Sequence, residues 1–86
     1  MKSFLLKISS PEGDLFCGDV VMLSVRGTEG DLAVMAGHIP FVSYVKPCDC
    51  KIEMEDGSEK IAAIQGGVLT VSQDKVILLS GDLVWK

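Results

Sequence analysis

The side chains most able to do chemistry are Cys17, His38, Cys48 and Cys50. Cys48-Asp49-Cys50 has the form of half a metal site, and Cys17 with His38 could complete four ligands around zinc. Structural zinc cysteines usually sit on turns, whereas these two stand at i and i+2 in a strictly alternating stretch. Cys48, Cys50, Ile52 and Met54 share one face there, and Asp49, Lys51, Glu53 and Glu55 share the other. On that spacing the two cysteines read as small core residues rather than ligands. A nucleophilic thiol needs a base and an electropositive setting. One histidine is available, no cysteine neighbours it in sequence, and Asp19 and Asp49 would raise nearby thiol pKa values rather than lower them.

The other polar groupings are weaker still. Glu53, Glu55, Asp56 and Glu59 gather about a turn and alternate onto a wet face, the pattern of a solvated surface. Gly27-Thr28-Glu29-Gly30 and Gly66-Gly67 lack the lysine and following helix of a phosphate cradle, and read as turn and bulge glycines. His38 lies in the turn Ala36-Gly37-His38-Ile39-Pro40, where a histidine either bonds locally or touches a partner. The residues therefore imply no catalytic constellation, no cofactor and no metal. The competing reading is a free-standing β-sandwich binding a metal or small ligand through Cys17, Cys48, Cys50 and His38.

The elements that carry these residues are strands throughout. Phe4, Leu6 and Ile8 alternate with Leu5, Lys7 and Ser9 before Pro11. Leu15 to Arg26 forms a long strand with Val21, Leu23 and Val25 on one face, and Gly18 is the expected bend or bulge. Short strands follow at residues 32–34 and 42–46, bounded by glycine and proline, then one at 48–55. Asp56-Gly57 predicts a two-residue type I′ hairpin returning through residues 59–65. Residues 68–72 and 75–80 resume after Gly66-Gly67, and a tail at 82–86 closes the chain. About eight to ten short strands with no crossover helix predict a single all-β domain, an antiparallel β-sandwich or flattened barrel.

Composition bounds the partners. A net charge of −4 and a pI near 4.7 disfavour nucleic acid and anionic lipid. Apolar runs such as Val20–Leu23 and Val76–Leu79 are far short of the roughly 20 residues that span a bilayer. Lys7 interrupts the apolar start before a signal core could form, and an odd number of cysteines suits reduced thiols. The expectation is residence in the cytoplasm. Val76-Ile77-Leu78-Leu79 shows no alternation, so that strand is either buried on both faces or half exposed to a partner.

The order and spacing of Gly27-Thr28-Glu29-Gly30-Asp31-Leu32 and Gly37-His38-Ile39-Pro40 resemble the signature of the epsilon subunit of bacterial F-type ATP synthases. Supporting matches run from residue 3 to 82: Phe4-x-Leu6-x-Ile8-x-x-Pro11-Glu12, Phe16-x-Gly18-x-Val20, Lys46-Pro47 and Gly66-Gly67-Val68-Leu69-x-Val71. Ala36 stands where the family usually has proline, a change expected to loosen that turn. The resemblance implies the N-terminal β-sandwich of a non-catalytic rotor subunit, bound to gamma and resting on the ring of c subunits, on the cytoplasmic side of the membrane. It points to Glu29, Asp31 and His38 as contacts with the c-ring loops, and Val76, Ile77, Leu78 and Leu79 are the candidates for the gamma contact. Family members continue into a two-helix arm that binds nucleotide or inhibits hydrolysis. The sequence stops at Trp85-Lys86, so neither activity is carried over.

Overall fold

A computed structural model describes residues 3–28, 30–37, 39–73 and 75–86. The described residues form nine strands: β1 (Phe4–Ser10), β2 (Gly13–Gly27), β3 (Gly30–Met35), β4 (Phe41–Val45), β5 (Cys48–Met54), β6 (Glu59–Ile64), β7 (Gly67–Val71), β8 (Lys75–Ser80) and β9 (Leu83–Trp85). Among the described residues there is no α-helix.

The strand order is β1-β8-β7-β4-β2-β5-β6-β9, with β3 on β2 and a further β1–β2 pairing that closes a circuit. One layer is thus β4, β7, β8 and β1; the other is β3, β2, β5, β6 and β9. The 15-residue β2 belongs to both, pairing β1 through its first half and β3 and β5 through its second. Lys46-Pro47 does the same for β4 and β5, breaking the ladder where the chain passes between layers. This is the expected flattened barrel, with one difference. Every described pairing is antiparallel except β1 with β8, which run parallel from Leu5 opposite Lys75 to Ser9 opposite Leu79.

The bend in β2 also differs from expectation. Gly18 stays in register with Leu6, and the extra residues are Leu15 and Val21 on either side of it. One extra residue reverses which parity faces inward. The buried residues accordingly pass from Val20 to Leu23 and Val25, and Val21 leaves the core face. Alternation along the sequence cannot show this, because both Val21 and Val20 are apolar.

The Asp56-Gly57 hairpin is real, but its turn is not type I′. Gly57 has φ 89° and no described non-glycine residue has positive φ, so Asp56 lacks the positive φ that a type I′ turn needs there. Gly57 N–H donates to Met54 C=O at 3.1 Å, and Met54 N–H to Ser58 C=O at 2.8 Å, the pattern of a type I turn followed by a glycine bulge. Asp56 Oδ1 accepts from Ser58 N–H (2.9 Å) and Ser58 Oγ–H (2.6 Å), which together hold its carboxyl below the usual carboxylate range.

Between the layers lie Leu6, Ile8, Val20, Leu23, Val34, Cys50, Ile52, Leu69 and Leu78, each essentially inaccessible. Truncating any of the four leucines to alanine would cost roughly 2–5 kcal/mol, the range for emptied core sites. Phe16 and Trp85 meet edge to face at 5.8 Å, with Lys60 Nζ 5.5 Å from the Trp85 ring centre, so β9 covers one end of the stack.

Candidate partner-binding surfaces

The first surface is carried by the β2–β3 hairpin. Its register places Val25 opposite Leu32, Arg26 opposite Asp31 and Gly27 opposite Gly30. Arg26 Nε–H donates to Asp31 Oδ1 at 3.1 Å with both side chains in solvent. Such a pair contributes about 0–1 kcal/mol to stability, so its interest is as a polar surface feature. Asp31 is thus exposed on the hairpin. Glu29 and His38, its expected companions, lie outside the described residues. Ile39 is exposed.

The second surface resolves the run Val76–Leu79. Val76 and Leu78 point into the core, at 2% and 0% exposure, so they cannot meet a partner; Ile77 is half-buried and Leu79 is 49% exposed on the outer face. The strand is therefore the half-exposed one of the two alternatives, and the gamma candidates narrow from four residues to Ile77 and Leu79. Register carries the same face across the layer. Leu79 sits opposite Val68, and Val68 opposite Tyr44; Ile77 sits opposite Thr70, and Thr70 opposite Val42. Tyr44 and Val42 are 69% and 66% exposed. The two rows, apolar except at Thr70, make a largely apolar surface across three strands, which soluble domains rarely leave uncovered. Sequence reasoning missed Val42, Tyr44 and Val68. The signal was present in Phe41-Val42-Ser43-Tyr44-Val45, which is apolar on both faces just as Val76–Leu79 is.

The cysteines separate into three environments. Cys50 is fully buried among the core residues, as its alternation required. Burial first, and then the neighbouring Cys48, push its thiol from 9.0 up to about 11. Cys48 is half-buried, and its Sγ accepts the Arg26 N–H at 3.4 Å. Cys17 is exposed on β2, opposite Lys7. Among the described residues no group of three histidine, cysteine, aspartate or glutamate side chains converges as a metal site needs. Maleimide at pH 7.5 is expected to modify Cys17 within minutes, Cys48 more slowly, and Cys50 only in denaturant. Because a raised thiol pKa disfavours the charged form in the fold, stability should fall as pH climbs from 9 towards 11. Intact-mass spectrometry over a labelling time course checks the order; early modification of Cys50 would contradict its burial.

Residues 3–86 match the family model described as ATP synthase, Delta/Epsilon chain, beta-sandwich domain. Among solved structures, a chain of the Euglena gracilis mitochondrial ATP synthase, determined by cryo-EM as OSCP/F1/c-ring in rotational state 1, superposes with a TM-score of 0.91 at 24% identity. That match covers 96% of the present chain and 53% of the Euglena chain. A chain from the central stalk and c-ring of the Tetrahymena thermophila mitochondrial ATP synthase gives 0.79 at 16% identity, covering 95% and 66%. At these identities the likeness is one of fold. The present chain spans about half of the first and under two thirds of the second.

Proposed function

Because the chain belongs to the ATP synthase delta/epsilon β-sandwich family, we propose that it is the epsilon-type part of a rotary ATP synthase's central stalk: non-catalytic, bound to gamma and the c-ring, and helping to couple ion-driven rotation to ATP synthesis. The observation that carries the reading is the pairing of two unlike surfaces on one rigid body. An apolar layer face offers a wide, permanent contact, and a polar hairpin offers a contact that fixes orientation.

Gamma takes the apolar face, through Ile77, Leu79, Val68 and Tyr44. The c-ring takes the hairpin, with Asp31 and, from the sequence resemblance, Glu29 and His38 meeting polar loops at the ring's cytoplasmic end. Carboxylates there form charge-assisted hydrogen bonds with basic loop residues and set register more than affinity. The domain is held at the membrane through the ring. Co-expressed with the gamma subunit of the same synthase, the chain is expected to elute with it as one species in size-exclusion chromatography at micromolar concentration. Separate elution would overturn the assignment.

A further inference from the structure

The outer face of β4, β7 and β8 carries almost no charge. Its two rows run Tyr44, Val68, Leu79 and Val42, Thr70, Ile77, and Thr70 is the member without an apolar or aromatic body. Among the described residues the nearest charges in register stand at the margin: Lys7, opposite Ile77, and Lys75 at the start of β8. Lys7 is already engaged by Asp14 at 3.6 Å. The other layer is the opposite in character, with Arg26–Asp31, Lys51–Glu59 and Lys86–Asp49 ion pairs on its solvent side.

We infer that, in the absence of gamma, two copies of this chain associate face to face through these rows as a weak symmetric dimer. The dimer stands on the face alone; only its replacement by gamma rests on the stalk-subunit reading. In a two-fold pair each residue near the axis meets its own copy, so a charge placed there would be repelled by itself. Each chain carries a net charge of −4, and two such chains repel over much of their surface. The uncharged face is where identical copies approach at least cost. Two sheets with the same twist also stack in alignment, about 10 Å apart. Because β7 is the middle strand of the three, Val68 and Thr70 lie nearest the axis. A threonine hydroxyl both donates and accepts, so Thr70 is satisfied by the same residue of the second copy, which neither a lysine nor an aspartate could achieve. Size sets the strength. Side chains with these exposures offer roughly 400–500 Å² per copy, so the pair buries about 900 Å², short of the roughly 1,200 Å² at which specific complexes become stable. The dimer therefore dissociates at on the order of 100 µM and leaves the face open to a tighter partner.

Sedimentation equilibrium of the 86-residue chain without gamma tests the inference. From about 10 µM to about 1 mM, a span that brackets such a dissociation constant, the mass should climb from 9.2 kDa towards twice that value. Leu79→Asp should remain monomeric throughout, while Met35→Asp, on the other layer, should associate as the parent does. Thiol trapping locates the axis. In a Cys17→Ser, Cys48→Ser background, Thr70→Cys treated with diamide should give a disulfide-linked pair, and Ile61→Cys, exposed on β6 of the other layer, should not. Equimolar gamma should abolish the Thr70→Cys product. A parent chain that is still monomeric at the highest concentration, a Leu79→Asp variant that associates equally, or equal linking at positions 70 and 61 overturns the dimer whatever gamma does. A dimer that persists in equimolar gamma upholds the pairing of two copies, and the assignment of this face to gamma then fails.

Discussion

Gly67→Ala is expected to abolish the folded domain. Gly67 opens β7 between two partners, paired with Val45 of β4 and Ser80 of β8, at φ 156°. A Cβ built there falls 1.7 Å from the Leu79 carbonyl oxygen, 2.8 Å from its carbon and 3.2 Å from Ser80 Cα. All three are backbone atoms, so no side chain can rotate away; relief would require β7 and β8 to separate. Loss of that pairing exceeds the roughly 4–5 kcal/mol at which single substitutions become exceptional, and approaches the whole stability of a domain this size. Circular dichroism during urea titration should show no cooperative transition. Gly81→Ala is the control, since its Cβ meets nothing within 4 Å and its φ is not positive; it should fall within about 0.5 kcal/mol of the parent. A Gly67→Ala protein that melts near the parent would mean that the β7–β8 approach is wider than described.

Leu79→Asp is expected to leave the domain folded and destroy the proposed gamma contact. Leu79 is the outward member of a strand whose inward members, Val76 and Leu78, already fill the core, so a carboxylate there remains in water in the free domain. In the complex the same carboxylate would be desolvated on an apolar surface beside Val68 and Tyr44 with no cation among its cross-strand neighbours, Val68 and Ser9. Central apolar positions of this kind cost about 2–4 kcal/mol when disrupted, a loss of roughly 30- to 1000-fold in Kd. Met35→Asp is the comparison: Met35 is also half exposed, but it lies on β3 in the other layer. It should bind gamma as the parent does. Titration of gamma against each variant separates the outcomes, and equal weakening by both would remove the apolar face from the interface.

Much of this was legible in the sequence for a physical reason. Strand burial follows period two, so Phe4, Leu6 and Ile8, or Cys50 and Ile52, declare their face without any knowledge of their neighbours. What alternation cannot reveal is how strands are arranged, because pairing is set by contacts distant in sequence. The parallel β1–β8 ladder left no local trace. The bulges at Leu15 and Val21 were assigned to Gly18 because glycine is the residue that signals irregularity, whereas β2 bends through ordinary residues. The candidate surfaces divided in the same way. Asp31 could be named from a motif, but the apolar face needed Tyr44, Val68 and Leu79 brought into one row from three strands. Neither Val76 nor Leu78 could be set apart from Ile77 and Leu79 until one side of β8 was known to be inside.

The parallel ladder bears on how the domain comes into being. It joins Leu6 to Val76 and Ile8 to Leu78, so β1 must wait for a strand made roughly seventy residues later before its second edge is satisfied. The β1–β2 and β5–β6 hairpins can form early from local contacts, but the circuit closes only after a loop of roughly seventy residues has been drawn in, a cost that grows slowly with length yet falls before any reward. Refolding is therefore expected on the millisecond-to-second scale of nonlocal β topologies. Until it finishes, β8 carries an unpaired apolar edge on a nascent chain, the state in which early arrival of a binding partner protects most.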